Sequence, residues 1–215
     1  MAEIIHQFTE GLRATTWLEY LAVVAGIVSV WFSRKENVLV YPVGLVNTII
    51  YVYLSATAHL FGEVSVNIYY TVMSLYGWYQ WLRKDRENHT ALHITFSDKR
   101  WWWYQLLFFS SFYIAIYFSL SYLQKNFAPG AIPWADAFAS ATAFTGMWLM
   151  TRKKVESWYW WIATNIASIP LYFSKHYVFT SVYYLVLLVM AVAGLSAWKQ
   201  KARQQPVVST NKRQA

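Results

Sequence analysis

Apolar residues along this chain come in long uncharged runs rather than in short amphipathic stripes. Seven runs stand out, at about 16–33, 38–59, 62–82, 101–123, 134–151, 157–174 and 177–198, each closed by charged or turn-forming residues. Runs of roughly 17 to 25 residues are long enough to cross a bilayer as helices. The expectation is an all-α integral membrane protein with seven transmembrane helices.

Polar positions inside the runs fall at helical spacing. In the sixth run Trp158, Trp161 and Asn165 stand at i, i+3 and i+7, which puts two indoles and an amide on one helix face. In the second run Tyr41, Gly44, Asn47 and Tyr51 share a face, and in the third Asn67, Tyr70, Ser74 and Trp78 do, just before the aromatic stretch GWYQW. Aromatic faces bind flat or cationic rings and an amide both donates and accepts, so these faces suit a small nitrogenous ligand. Competing readings stand beside that one. Trp158 and Trp161 suit an interfacial aromatic belt, and a mid-membrane amide such as Asn47 can tie helices together. Pro42 and Pro170 are expected to bend their helices. The fourth run is aromatic all round without a focused polar face and reads as a linker exposed to lipid or to another subunit.

Charge changes the picture by its placement. The net charge is +8, and with seven spans fifteen of the eighteen Lys and Arg fall on one side, leaving Arg13, Lys125 and Lys175 on the other. The positive-inside rule then puts the C-terminus in the cytoplasm and the N-terminus outside. Basicity here describes topology rather than nucleic-acid binding. The chain has no cysteine, which removes disulfides and thiolate metal sites, and its five histidines lie at ends and loops without metal-ligand spacing. No cofactor is expected. A membrane enzyme would need a nucleophile with a base, or metal ligands, at bilayer depth, and none is seen. The mid-span positions of runs two, three, six and seven hold no charged residue, which argues for an uncoupled carrier and against a phosphorylated substrate.

The chain also matches itself. A shift of 118 sets Arg34 and Lys35 on Arg152 and Lys153, Tyr41 on Tyr159 and Asn47 on Asn165; a shift of 114 sets Tyr69 and Tyr70 on Tyr183 and Tyr184, implying a four-residue difference between the copies. The domain expectation follows: a possible interfacial helix at 1–15, a three-helix bundle at 16–82, a solvated basic loop and linker helix at 83–133, a second bundle at 134–198 and a disordered cytoplasmic tail at 199–215. This is a parallel 3+1+3 duplication with a site between the halves.

The run TGMWLMTRKKVESWYWWIATNIASIPLYF, with W-x-x-W-x-x-x-N at Trp158, Trp161 and Asn165, resembles the PnuC family of bacterial vitamin transporters, as does GWYQW near Trp78. The resemblance covers residues 17 to 198. It implies a SWEET-like pair of bundles, a homotrimer, and uptake of nicotinamide riboside across the inner membrane by facilitated diffusion, driven by a cytoplasmic ribosylnicotinamide kinase. It also implies that Trp158, Trp161 and Asn165 bind substrate, and Tyr51, Tyr184 and Asn47 complete an inventory suited to a pyridinium nucleoside. Relatives carry thiamine or riboflavin, and cationic thiamine fits the same inventory.

Overall fold

The computed structural model describes residues 6–7, 9–10, 12–13, 15–57, 61–84, 90–123, 132–175 and 177–204. The turn-rich connection at 124–131, residues 85–89 of the basic loop and the tail beyond 204 lie outside the described residues. Seven long helices run through them: α1 (Trp17–Arg34), α2 (Val40–Thr57), α3 (Phe61–Leu82), α4 (Lys99–Leu123), α5 (Pro133–Thr151), α6 (Ser157–Ser174) and α7 (Val178–Gln204). Their ends follow local chemistry. Thr16 and Glu19 form a reciprocal capping box at the start of α1, and three residues into α5 Asp136 accepts from the Ile132 N–H at 2.6 Å. Pro42 falls in the first turn of α2, where a backbone N–H has no helical partner, so it starts the helix rather than bending its middle.

By length and composition α1, α2, α4 and α7 are apolar enough to cross a membrane. The other three are more polar because of where they sit. α5 packs against α3, α4 and α6, and most of its side chains are buried; α3 and α6 bury Asn67, Ser74, Thr164, Asn165 and Ser168. Helices screened from lipid need no continuous apolar surface.

α1, α2 and α3 pack in sequence, as do α5, α6 and α7, and the two groups touch through α1 against α7 and α3 against α5. α4 lies outside, on α5. Its face is not featureless. Gln105 is fully buried, accepts from Trp160 Nε1 at 2.9 Å and donates to Ser97 Oγ at 2.9 Å.

The main core sits at the end where the Lys and Arg cluster, built on Tyr41, Trp81, Ile94, Met150, Val155, Trp158 and Trp198. Here residues 117 apart do the same job. Ser33 Oγ contacts Met150 Sδ at 3.0 Å with that separation, and Lys153 Nζ donates to Glu36 Oε1 at 2.9 Å with the same separation. Glu36 (φ 61°) and Lys153 (φ 52°) are the left-handed residues ending α1 and α5. In each case that residue's own N–H and the next one close a Schellman motif: Glu36 to Ser33 and Asn37 to Phe32, then Lys153 to Met150 and Lys154 to Leu149. The indole of Trp81 donates to the Met150 carbonyl at 3.2 Å and that of Trp198 to the Ser33 carbonyl at 2.9 Å, so each bundle's third helix satisfies the other bundle's first.

Gly77 and Gly194 extend the correspondence. A Cβ at Gly77 would overlap the ring of Tyr41, and one at Gly194 the indole of Trp158. The offset is therefore the same through all three helices, which corrects the shifts of 118 and 114 and removes the four-residue difference. Asn47 then corresponds to Thr164, and Asn165 to Thr48. Matching letters had stood in for matching positions. Gly194→Ala is expected to destabilise the protein by about 1–3 kcal/mol through overpacking, a fall of roughly 3–10 °C in melting temperature in detergent. Gly44→Ala, facing only the movable Ser29 hydroxyl at 3.1 Å, should move it less.

The basic loop is not wholly solvated. Thr95 exchanges backbone hydrogen bonds with Lys153 and Val155 at 3.2 and 3.1 Å, and Ile94, 1% exposed, fills the core beneath the bundles. Ser97 gives its N–H and its hydroxyl to Glu156 at 3.0 and 2.7 Å. An apolar side chain at Ile94 and a ladder partner at Thr95 turn this stretch into a strap across the basic end.

Candidate functional site

Between the two groups of helices, α2 and α6 make no backbone approach to each other, and aromatic side chains meet in the space this leaves. Tyr70 of α3 faces Trp161 of α6 with ring centroids 6.3 Å apart and planes tilted by 33°. Tyr172 of α6 stacks on Tyr184 of α7 at 5.2 Å and 17°. Tyr51 of α2 lies within electrostatic reach of Tyr184, and Tyr70 within reach of both Tyr183 and Tyr184. Four helices, two from each group, supply these rings. The Trp161 indole rests on Gly146, whose Cβ position is 3.2 Å from Trp161 Cε2, so a small residue on α5 sets how far the ring withdraws from the centre.

Asn165 is one turn beyond Trp161. It is 3% exposed, and no described residue hydrogen-bonds its side chain. Its carboxamide is not among the fully buried, unpartnered polar atoms of the described residues, which are Tyr41 Oη, Arg152 Nε, Ser157 Oγ and Trp158 Nε1, so it keeps access to the space between the helices and suits a ligand that donates and accepts. Its neighbour Thr164 is satisfied instead, donating to Thr142 Oγ1 at 3.0 Å and to the Trp160 carbonyl at 2.9 Å.

The other expected residues divide by position. Trp158 and Tyr41, each 1% exposed, lie in the basic-end core on their glycines, and Trp78 packs against the same core. Trp158 is thus not an interfacial belt residue. Asn47 Nδ2 donates to the Ala22 carbonyl of α1 at 2.7 Å, tying the first two helices together, and Asn67 Nδ2 donates to the Glu63 backbone carbonyl one turn back at 2.9 Å. The structure therefore sets Trp161 against Tyr70, with Tyr184 in electrostatic reach of Tyr70 and Tyr51 and with Asn165 one turn along α6, and sets Trp158, Tyr41 and Trp78 in the basic-end core.

Ser168, Tyr172 and Tyr183 were missed. A signal for two of them was available: Trp161, Asn165, Ser168 and Tyr172 continue at i, i+4, i+7 and i+11, one face of α6 running from the core to the tyrosines. Glu63 was missed as well. It opens α3 within electrostatic reach of Tyr51, Tyr70, Tyr172 and Tyr184, at the end where Lys175 bridges Asp136 at 2.7 Å. No group of three or more potential metal ligands occurs among the described residues.

Known proteins resemble this chain in sequence and fold. The chain is 22% identical over 210 residues to the nicotinamide riboside transporter PnuC of Escherichia coli strain K12, covering 88% of each. It is 20% identical over 191 residues to the riboflavin/roseoflavin transporter RibM of Streptomyces davaonensis, covering 87% of each. A crystal structure of the vitamin B3 transporter PnuC superposes with a TM-score of 0.70 at 20% identity, covering 94% of this chain and 91% of that one. The profile described as nicotinamide mononucleotide transporter matches residues 16–200, and the chain accordingly belongs to that family of multi-pass membrane transporters.

Proposed function

We propose that this protein carries nicotinamide riboside across the bacterial inner membrane by facilitated diffusion, with uptake driven by phosphorylation of the substrate in the cytoplasm. The carrying observation is the buried, unpartnered Asn165 one turn from the Trp161 and Tyr70 rings. A pyridinium ring gains about 0.5–2 kcal/mol from an aromatic face when desolvated, and its carboxamide and ribose offer donors and acceptors to Asn165, while Ser168, Tyr172 and Tyr184 hydrogen-bond one another beside it. A phosphate would need cations at this depth. Trp161, Asn165, Tyr70, Tyr51 and Tyr184 are the substrate contacts in this reading. Trp158, Tyr41 and Trp78 act through the packing beneath them, and Asn47 and Asn67 through helix geometry.

The reading extends to architecture. The common offset of 117 and the reciprocal indole bonds support a parallel 3+1+3 duplication of residues 16–82 and 134–198, SWEET-like, joined by α4. Carriers built from repeats hold substrate at the repeat interface near the midplane. The distribution of Lys and Arg supports a basic end and C-terminus in the cytoplasm and an N-terminus outside. A homotrimer and a functional link to a ribosylnicotinamide kinase complete the proposal.

Proteoliposomes with the kinase and ATP entrapped test it. Labelled nicotinamide riboside should accumulate well above the external level, whereas vesicles without kinase should only equilibrate. Accumulation without kinase would overturn facilitated diffusion, and no uptake in either arm would overturn the carrier. The RibM relative favours riboflavin as the second substrate to test, with thiamine beside it. Competition by either at concentrations where unlabelled nicotinamide riboside does not compete would reassign the substrate.

A further inference from the structure

On the outer flank of the basic end, α4 and the α5–α6 connection gather cations on aromatic faces. The Arg152 guanidinium lies 5.4 Å from the Trp101 ring and 5.7 Å from that of Trp148, and the Lys154 ammonium lies 5.1 Å from Trp101. The Arg100 guanidinium is 5.7 Å from the Tyr104 ring and its Nε donates to the Tyr104 hydroxyl at 3.0 Å. Arg152 Nε is buried with no hydrogen-bond partner among the described residues. The two carboxylates nearby are engaged elsewhere: Asp98 accepts from the Trp101 N–H at 2.8 Å and Glu156 takes both donors of Ser97. Burial pulls the Lys154 ammonium below the usual lysine range, and Glu156 and Asp98 offset part of that. Lys154 Nζ donates to Thr95 Oγ1 at 2.9 Å, which leaves Arg152 as the member of the cluster short of an acceptor.

A groove opens from the same aromatic rim. Tyr104, Leu107, Phe108, Ser111 and Trp148 line an open, shallow groove of about 350 Å³, and Phe108 stacks on Trp148 at 4.8 Å and 13° to form its floor. From Tyr104 to Ser111 the helix rises roughly 10 Å, against about 15 Å for one leaflet of hydrocarbon. The cations thus sit at headgroup level and the groove runs inward from them. We propose that this is a binding site for an anionic phospholipid, with its phosphate on Arg152 and Arg100 beside Lys154 and the upper part of one acyl chain against Phe108 and Trp148. Basic pockets beside transmembrane helices recognise such headgroups, and guanidinium groups pair with phosphate in bidentate geometry. A free anion would leave the groove unfilled; a zwitterionic lipid would leave the positive cluster uncompensated. The site joins the transport apparatus through Gln105, which links α4 to Trp160 and, by way of Ser97, to Glu156 at the start of α6.

The full chain, delipidated in detergent, should retain at least threefold more phosphatidylglycerol than phosphatidylcholine by native mass spectrometry. Phosphatidylglycerol should also raise its melting temperature several degrees more than phosphatidylcholine does. In R100Q/R152Q that difference should vanish while the response to phosphatidylcholine and the binding of nicotinamide riboside stay unchanged. Ser111→Trp, which fills the groove and leaves the cations in place, should weaken retention of phosphatidylglycerol. Equal retention of the two lipids, or an unchanged preference in R100Q/R152Q, would overturn the proposal. So would equal stabilisation by glycerol phosphate, which would make it a site for a free anion, or loss of oligomers in Ser111→Trp without loss of lipid, which would make the groove a subunit contact.

Discussion

Glu36→Ala is expected to destabilise the basic end by about 3–5 kcal/mol, because it strands a buried cation. Lys153 is 3% exposed, and Glu36 is its carboxylate partner; Lys201 shares Glu36 from the other side at 3.1 Å but is far better solvated. Both Glu36 and Lys153 stand in the left-handed position that ends a helix, where glycine is the usual residue and other side chains cost about 1–2 kcal/mol. Two strained positions that face each other from equivalent places suggest that the strain is retained for the pair. The exchanged variant E36K/K153E keeps one charge of each sign at the same sites and should recover part of the loss, the remainder going to the new repulsion between the lysine at 36 and Lys201. Beside the pair Ser33 meets Met150 and Trp81 meets Trp198 at 6.1 Å, and Ile94 of the strap is buried in the same core. The chain has no cysteine, so Ser33→Cys gives a single reporter. An impermeant maleimide inside vesicles should label it slowly in an otherwise native chain, faster with Glu36→Ala and slowly again with the exchange. Equal labelling in all three would remove the pair from any gating role.

The helices were legible because crossing a bilayer leaves so few options. An uncharged run of about twenty residues must bond its own backbone, and the expected limits of all seven lie within a few residues of those observed, save α7, which continues past the interface to Gln204. The strap was not legible. Residues 83–100 look solvated by composition, and Ile94 is apolar without any periodic company to mark it as core. The register of the internal match was also hidden. Its true anchors are a glycine facing a large ring at Gly77 and Gly194, and an indole facing a carbonyl at Trp81 and Trp198. A comparison of identical letters was drawn instead to Asn47 and Asn165, which do different things. On α6 the spacing puts Trp158, Trp161 and Asn165 on one helical face, but sequence spacing carries no depth. Trp158 belongs to that face and ends in the core; Trp161, one turn on, reaches the space between the bundles.

Asn165→Ala should weaken nicotinamide riboside binding about 10- to 100-fold, with little change in thermal stability. The direction of both effects follows from the missing partner. Removing a satisfied buried amide would expose its neighbours' unpaired groups and lower the melting temperature by several degrees, whereas Asn165 has no described partner to strand. Binding suffers instead, since the ligand's own polar group is left buried and unpaired at about 1–3 kcal/mol. Trp161→Ala should cost affinity by a similar factor through loss of the aromatic face opposite Tyr70, while Trp161→Phe should keep a good part of it. Trp158→Ala is the informative contrast: its indole fills the notch at Gly194 and meets Trp198 at 5.6 Å, so a cavity there should cost about 3–5 kcal/mol of stability. Calorimetry and thermal unfolding on the three variants separate the two kinds of residue. If Asn165→Ala melts early and binds as the native chain does, the amide is structural, and the site lies elsewhere along the face of α6.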